Sequence, residues 1–249
     1  MKTIGIIPAR YDSSRFPGKP LAIINNKPMI RWVYESLLPV VDVAIVATDN
    51  DKIFKTVIAF GGKAVITSSL HKSGTDRVAE AYNTYCNETK EEFDVILNIQ
   101  GDEPMLNSNQ VIELRDCFLD NSTQMATLAS VVSCIDDLHQ KPGVFLVTDK
   151  DMNAIYFSRH PIPFAKSLKK ESWLTAYDYK HHIGLYGFTP KVLDEFISLP
   201  ESGLEKIEGL EQLRWIENGG KIKVAISPYT THPVDYPEDI KILEEKLSD

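Results

Sequence analysis

The first side chains able to do chemistry lie between Pro8 and Leu21, in the order Pro-Ala-Arg-Tyr-Asp-Ser-Ser-Arg-Phe-Pro-Gly-Lys-Pro-Leu. Arg10, Arg15 and Lys19 gather three cations around a single acid, Asp12, on a chain whose formal net charge is −8. Pro17, Gly18 and Pro20 forbid a regular element there, and Ser13 and Ser14 add hydroxyl donors. Such a loop, placed at the end of a short apolar strand, would present backbone amides with Arg and Lys to a polyphosphate. The plain alternative is a surface turn whose cations are solvated. Neither G-x-x-x-x-G-K-S/T nor G-x-G-x-x-G occurs in the chain, which argues against a P-loop ATPase and a Rossmann dehydrogenase.

Carboxylates come next. Gln100-Gly101-Asp102-Glu103-Pro104 follows an apolar run, so Asp102 would face the cradle across the sheet edge. Mg²⁺ takes one or two carboxylates besides phosphate oxygens; the alternative is an ordinary turn, which Gly-Asp and Glu-Pro both favour. Asp235 stands far along the chain, and sequence does not show whether it meets Asp102. Its alternative use is to cap a helix ahead of Pro237.

Three further segments carry polar residues in informative places. Ser68–Arg77 is polar, contains Gly74 and leads into a helix; Ser73 with Asp76 three residues on is a capping pattern. His181-His182 invites a metal reading, but neighbours on a strand point to opposite faces and cannot share one ion. Glu211-Gln212 sits where Leu204, Ile207, Leu210, Leu213 and Ile216 recur every third position, a pattern of a helix that is well buried or broken at Gly209. Polar groups inside such a helix need partners, and a hydroxyl-rich sugar is one; a solvent-facing surface is the other reading.

The elements that must position these groups alternate. Apolar runs at Ile4–Pro8, Val43–Ala47, Ala64–Thr67 and Val95–Ile99 read as strands. Helical patterns at Met29–Leu38, Asp51–Phe60, Asp76–Tyr85 and about 110–119 separate or follow them. Strands that are continuously apolar argue for a parallel sheet covered on both faces, with the ligand site beyond the strands' carboxyl ends. After residue 120 the rhythm loosens. Strands are expected at Met125–Ser133, Val144–Thr148, Ala154–Phe157, Ile183–Phe188 and Ile222–Ser227, with an aperiodic excursion over Pro161–Lys180 and a closing helix over Asp239–Leu247. The whole is expected to be one domain over 1–249, divided near residue 120 into two halves, to which the resemblance described below assigns nucleotide binding (the first) and sugar binding with dimerisation (the second).

Composition excludes several classes. With 43% hydrophobic and 25% charged residues, the 249-residue chain is neither disordered nor low in complexity. No apolar run is long enough to span a membrane, and the first residues are too briefly apolar for a signal peptide. Thirty-five acids against 27 bases disfavour a nucleic-acid binder. Three cysteines, Cys86, Cys117 and Cys134, make no disulfide framework and suit a cytoplasmic setting.

Six ordered blocks carry a resemblance, together with the loop motif Ala-Arg-x-x-Ser-x-Arg-x-Pro-Gly-Lys-Pro-Leu. They are Ser73–Arg77, Asn98–Pro104, Tyr156–Arg159, His182–Gly187, Leu210–Arg214 and Val234–Asp239. The chain resembles the sugar nucleotidyltransferases with a Rossmann-like GT-A core, and among them the CMP-Kdo synthetases (3-deoxy-manno-octulosonate cytidylyltransferases). The resemblance implies a three-layer αβα fold with a mostly parallel mixed sheet. The implied substrates are CTP and an acid sugar, Kdo, with Mg²⁺ as cofactor, CMP-Kdo for lipopolysaccharide synthesis as product, and a homodimer in contact through Pro161–Lys180. It makes Asp102 and Asp235 metal ligands, and Arg10 and Lys19 catalytic with them. Pro8, Ala9, Arg10, Ser13, Arg15, Lys19, Ser73, Arg77, Gln100 and Asp102 become nucleotide contacts. Gln100, Arg159, His182, Tyr186, Glu211 and Gln212 become sugar contacts. Two departures stand out: Tyr236 where the family has Thr, and Phe145 where a cation is expected, which puts one wall or loop near the site in doubt.

Overall fold

The computed structural model describes residues 1–13, 15–139 and 143–246. The apolar run at the start forms β1 (Thr3–Ala9). The cationic loop then closes on a 3-10 turn at Lys19–Leu21 and a small hairpin, β2 (Ile23–Ile24) with β3 (Lys27–Pro28). There follow α1 (Met29–Leu37), β4 (Val43–Thr48), α2 (Asp51–Ala59), β5 (Ala64–Ile66), α3 (Gly74–Thr89), β6 (Val95–Asn98) and α4 (Ser108–Asp116). The later part comprises β7 (Met125–Val131), α5 (Ile135–His139), β8 (Phe145–Thr148), β9 (Ala154–Ser158) and β10 (Lys180–Phe188). It ends with α6 (Pro190–Ser198), α7 (Gly203–Glu208), α8 (Gln212–Glu217), β11 (Lys223–Ile226) and α9 (Asp239–Lys246).

One sheet takes strands from both halves, in the order β11-β7-β10-β6-β1-β4-β5, with β8 and β9 attached to β10. β1 lies parallel between β4 and β6. β10 runs antiparallel to β6, β7 and β8, and β9 antiparallel to β8. Among the described residues the sheet is therefore mixed but mostly parallel. Its strands are apolar on both faces because both are covered. Ile4 and Ile6 pack with Val78, Phe93 and Phe196 on one side, and Ile7 packs with Ile30, Val33 and Val111 on the other. Each such side chain contributes roughly 1.5–3 kcal/mol by leaving water.

The pairing of β10 prepares the site. β7 occupies one of its edges along its length, while the other edge meets β6 only at Tyr186–Phe188 and β8 only at Lys180–His181. The sheet parts between them, and there the Gln100 side-chain amide donates to the carbonyl of Gly184 at 3.0 Å. The β10–β7 register also slips between Ile183 and Tyr186, three residues on β10 spanning one step on β7. A two-residue excess keeps the alternation in phase, so His182 and Tyr186 share a face.

Several expected boundaries move for local reasons. α3 begins at Gly74 because Ser73 Oγ accepts the Asp76 N–H at 3.1 Å, and it runs on to Thr89. The apolar pattern over residues 204–216 is two helices: Gly209 adopts φ 63 at the end of α7, and α8 starts after Glu211. The expected helix over 110–119 divides into α4 and a 3-10 turn at Cys117–Leu119. β10 starts three residues earlier than its apolar stretch, and α6 has no counterpart among the expected elements. Ser14 and Leu247, both named above, lie outside the described residues.

The Pro161–Lys180 excursion builds a small core of its own. Trp173 stacks on Tyr179 with centroids 5.7 Å apart, and Phe145, Val132 and Leu138 fill in around them. Phe145 is thus a core side chain with its ring against His181, and it lines neither of the cavities described below. No helix among the described residues is long and apolar enough to cross a membrane.

Candidate active site

The carboxyl ends of β1 and β6 and the amino end of α3 enclose a cleft of about 330 Å³. Every nucleotide-side candidate lines it: Pro8, Ala9, Arg10, Ser13, Arg15 and Lys19 from β1 and its loop, Ser73 and Arg77 from α3, Gln100 and Asp102 from beyond β6. The loop curls back on itself, with the Gly18 N–H on the Tyr11 carbonyl at 2.8 Å. Gly18 has φ 72 and the Tyr11 ring lies 3.2 Å from where a Cβ would stand, so only glycine fits without strain. Ser13 is used locally, its hydroxyl accepting the Phe16 N–H at 3.4 Å.

Lys19 and Arg15 tie this loop to the two acids. The Lys19 ammonium donates to Asp102 Oδ2 and to the Val234 carbonyl, both at 2.7 Å. Arg15 pairs with Asp235 at 2.9 Å and lies over the Tyr236 ring. The Val234 N–H reaches the Asp102 carbonyl at 2.9 Å, so the two acidic segments are stitched together. Asp239, at the start of α9, accepts the N–H groups of Asp235 and Tyr236, each at 2.8 Å. Glu103 differs from its neighbour. It is buried, and burial, with Asp102 adding to it, pushes its carboxyl up to about 8. No cluster of three or more His, Cys, Asp or Glu able to hold a metal occurs among the described residues. The donor set is therefore two carboxylates from stitched segments, which fits Mg²⁺, an ion that completes its shell with water and phosphate.

Arg77 is deeply placed. Its guanidinium donates to Thr67 Oγ1 at 2.7 Å and Asp49 Oδ2 at 2.6 Å, leaving only its remaining N–H groups for a ligand. His71 and Lys72, not anticipated from the sequence, join the same wall, with His71 held by Glu80.

A second cavity, about 590 Å³, opens where the sheet parts, and all the sugar-side candidates line it: Gln100, Arg159, His182, Tyr186, Glu211 and Gln212. The two cavities share Arg15, Gly74, Gln100 and Glu211. Arg159 is fixed by bonds to the carbonyls of Glu208 and Gly209 at 2.6 and 3.0 Å. Glu211 accepts from Thr75 Oγ1 at 2.9 Å, and burial raises its carboxyl above the ordinary range. Burial, with His181 beside it, pushes His182 down to about 3, so the ring is neutral. Thr127 Oγ1 donates to the Leu185 carbonyl at 2.7 Å and can then only accept from His182 Nε2 at 3.0 Å, which leaves His182 Nδ1 as an acceptor. Asn98, which opens the Asn98–Pro104 block but was not among the expected contacts, also lines this cavity.

A family model described as cytidylyltransferase matches residues 4–222. The chain belongs to the cytidylyltransferase family. This cytidylyltransferase is 50% identical to the 3-deoxy-manno-octulosonate cytidylyltransferase of Phocaeicola vulgatus, over 99% of this chain and 98% of the relative. It is 43% identical to the 8-amino-3,8-dideoxy-manno-octulosonate cytidylyltransferase of Shewanella piezotolerans, over 98% and 97%. Its fold matches the structure of CMP:2-keto-3-deoxy-manno-octonic acid synthetase complexed with CTP at a TM-score of 0.90 and 38% identity, covering 100% of this chain and 99% of that one.

Proposed function

We propose that the chain transfers CMP from CTP to the anomeric hydroxyl of 3-deoxy-manno-octulosonate, releasing diphosphate. The observation that carries this reading is the continuity of a cationic cleft with a second cavity lined by amide, imidazole, guanidinium and carboxylate side chains, through Arg15, Gly74, Gln100 and Glu211. A nucleotide in the first then presents its α-phosphorus to a sugar in the second.

Phosphoryl-type transfer of this kind is mainly a matter of positioning and charge. Arg10, Arg15 and Lys19 would hold the triphosphate and offset charge on the departing diphosphate. Ser73 and the free N–H groups of Arg77 would fix the base end, while the Asp49 partner keeps Arg77 in place. Gln100, anchored on Gly184, would orient the sugar's reacting end, and Arg159 would meet its carboxylate. Asp102 and Asp235 would hold Mg²⁺, releasing Lys19 and Arg15 to the phosphates as they do so. When bound, the ion supplies neutralising charge and lowers the pKa of a hydroxyl placed against it.

The same reading extends to the setting. The product would serve lipopolysaccharide synthesis in the cytoplasm, where the free thiols of Cys86, Cys117 and Cys134 are at home. The chain would work as a homodimer through the excursion after Pro161, where Phe164 and Leu168 are exposed apolar residues. Diphosphate release measured with CTP, Mg²⁺ and a panel of acid sugars tests the activity. Absence of turnover with every acid sugar would overturn it.

A further inference from the structure

Asp235 is carried on a stretch of chain with few ties. Between Ile226, the last residue of β11, and Asp239, the first of α9, the chain forms neither helix nor strand. Its early part is pinned where the Ser227 N–H reaches the Ala129 carbonyl at 2.8 Å and Tyr229 Oη accepts from Asn109 Nδ2 at 2.8 Å. Nearer the site, Val234 is fixed by Lys19 and by the Asp102 carbonyl. The Asp235 side chain has Arg15, and a triphosphate competes for both of those cations. Among the described residues, the remaining hydrogen bonds of residues 235 and 236 all go to Asp239. Its Oδ2 accepts both their N–H groups at 2.8 Å, and its own N–H reaches the Tyr236 carbonyl at 3.1 Å.

Asp239 is itself held by what lies beneath it. A helix of eight residues is too short to persist unaided, so α9 exists by docking. Leu243 is 3% exposed, in a small core with Ile24 of β2, Met29 of α1 and Val234, against which Ile240, Phe16, Trp32 and Met105 pack. Asn25 fastens the same helix by donating its N–H to Glu244 Oε1 at 3.2 Å. The membership of this core is informative. Phe16 follows Arg15, Met105 lies shortly after Asp102, and Val234 precedes Asp235. The three charged groups thus each have a near neighbour sunk in one apolar cluster, to which α9 contributes Ile240 and Leu243.

A carboxylate is only as good a metal ligand as its backbone is fixed, and the groups behind such ligands carry much of the affinity. Asp239 lines neither cavity. We infer that Asp239 is a positioning residue: through the Asp235 and Tyr236 amides it keeps the Asp235 carboxylate in place when Arg15 turns to the triphosphate, with α9 as the latch that makes the hold firm. This rests on the assignment of Asp235 to Mg²⁺ proposed above and goes beyond it, because it names what keeps that ligand in position.

The test uses the full chain, CTP, Mg²⁺ and 3-deoxy-manno-octulosonate. Asp239→Ala raises the Mg²⁺ concentration for half-maximal diphosphate release by about 10- to 100-fold, while CTP binding in chelator, read by calorimetry, is not weakened. Asp239→Asn keeps an oxygen able to accept both N–H groups and stays near the wild type. Leu243→Ala, which loosens the docking of the helix instead, shifts the Mg²⁺ requirement in the same direction. A readout that needs no variant covers the case in which these changes impair folding. Coupling is reciprocal, so in the wild type CTP with Mg²⁺ slows hydrogen exchange of the 235, 236 and α9 amides by about tenfold or more relative to CTP with chelator. An unchanged Mg²⁺ requirement in Asp239→Ala overturns the inference, as does exchange that Mg²⁺ leaves untouched. Equal losses in Asp239→Asn and Asp239→Ala overturn it too, since the carboxylate would then act by its charge. Asp235→Asn separates these failures from that of the parent assignment: if it keeps the wild-type Mg²⁺ requirement, Asp235 is no metal ligand and both fall.

Discussion

The ammonium of Lys19 stands 2.7 Å from the carboxylate of Asp102 while donating to the carbonyl of Val234. One side chain therefore joins the phosphate cradle, the end of the central strand and the segment that carries Asp235. A triphosphate has to draw Lys19 away from Asp102, and the carboxylate opposes it. In protein stripped of divalent ions by a chelator, Asp102→Asn is expected to bind CTP about two- to fivefold more tightly than the wild type, the scale of one partly exposed ion pair. With Mg²⁺ present the same variant loses turnover by ~100-fold or more. Calorimetry with and without chelator checks both, and weaker CTP binding by the metal-free variant would count against the pairing as a competitor.

Arg77 and Asp49 form a pair whose side chains are only 5% and 17% exposed. Removing one partner strands the other. Arg77→Ala and Asp49→Ala should each lower unfolding free energy by about 3–5 kcal/mol, measured by urea denaturation. Asp49 lines neither cavity, so similar losses in the two variants would assign most of the Arg77 effect to folding. A stable Asp49→Ala protein would contradict this.

His182 folds with a pKa near 3, down from 6.5 in the open chain. Below about pH 6.5 the unfolded state therefore binds the proton that the folded ring refuses. The stability in question is whole above that pH and declines as pH falls toward 3, by at most ~1.4 kcal/mol per pH unit. Melting curves between pH 7 and 5 should show a steeper loss for the wild type than for His182→Gln. Parallel slopes would mean that the ring already carries its proton in the fold.

Gly101 lies where β1 and β6 end side by side, and a Cβ there would come within 3.0 Å of the Pro8 carbonyl oxygen. That neighbour is backbone and cannot swing aside. Gly101→Ala should part Asp102 from the cradle and destabilise the fold by about 1–3 kcal/mol. CTP affinity should fall with it. Unchanged affinity would show that the turn absorbs the methyl group elsewhere.

Much of this was legible in the residues alone, and where it was not the cause is distance along the chain. β1, β4 and β6 could be read because strands buried on both faces are apolar at every position, a local property. The cradle was legible because its cations sit within one loop. β10 was harder to bound: its apolar run starts only at Ile183, and pairing with β7 and β8 carries the strand back through His182 and His181 to Lys180. α6 did carry a signal, Pro190 at its first turn with Val192, Leu193 and Phe196 on one face, but it went unread between longer apolar runs. Asn98 shows the limit most clearly. Its place in the run Val95–Ile99 says nothing of a partner, and its unpaired oxygen shows only once β6 is set against Tyr186 across the sheet. The commitment of Arg77 to Asp49 was hidden in the same way, because nothing in either segment announces the other.

The parting of the sheet along one edge of β10 divides labour between the two halves of the polypeptide. The cationic cleft is lined almost entirely by residues before Glu103, whereas most walls of the second cavity come from residues after Gln124. Changes confined to the later half can thus retune which acceptor is welcomed while the grip on the activated donor stays as it was, leaving one inherited engine open to different cargoes.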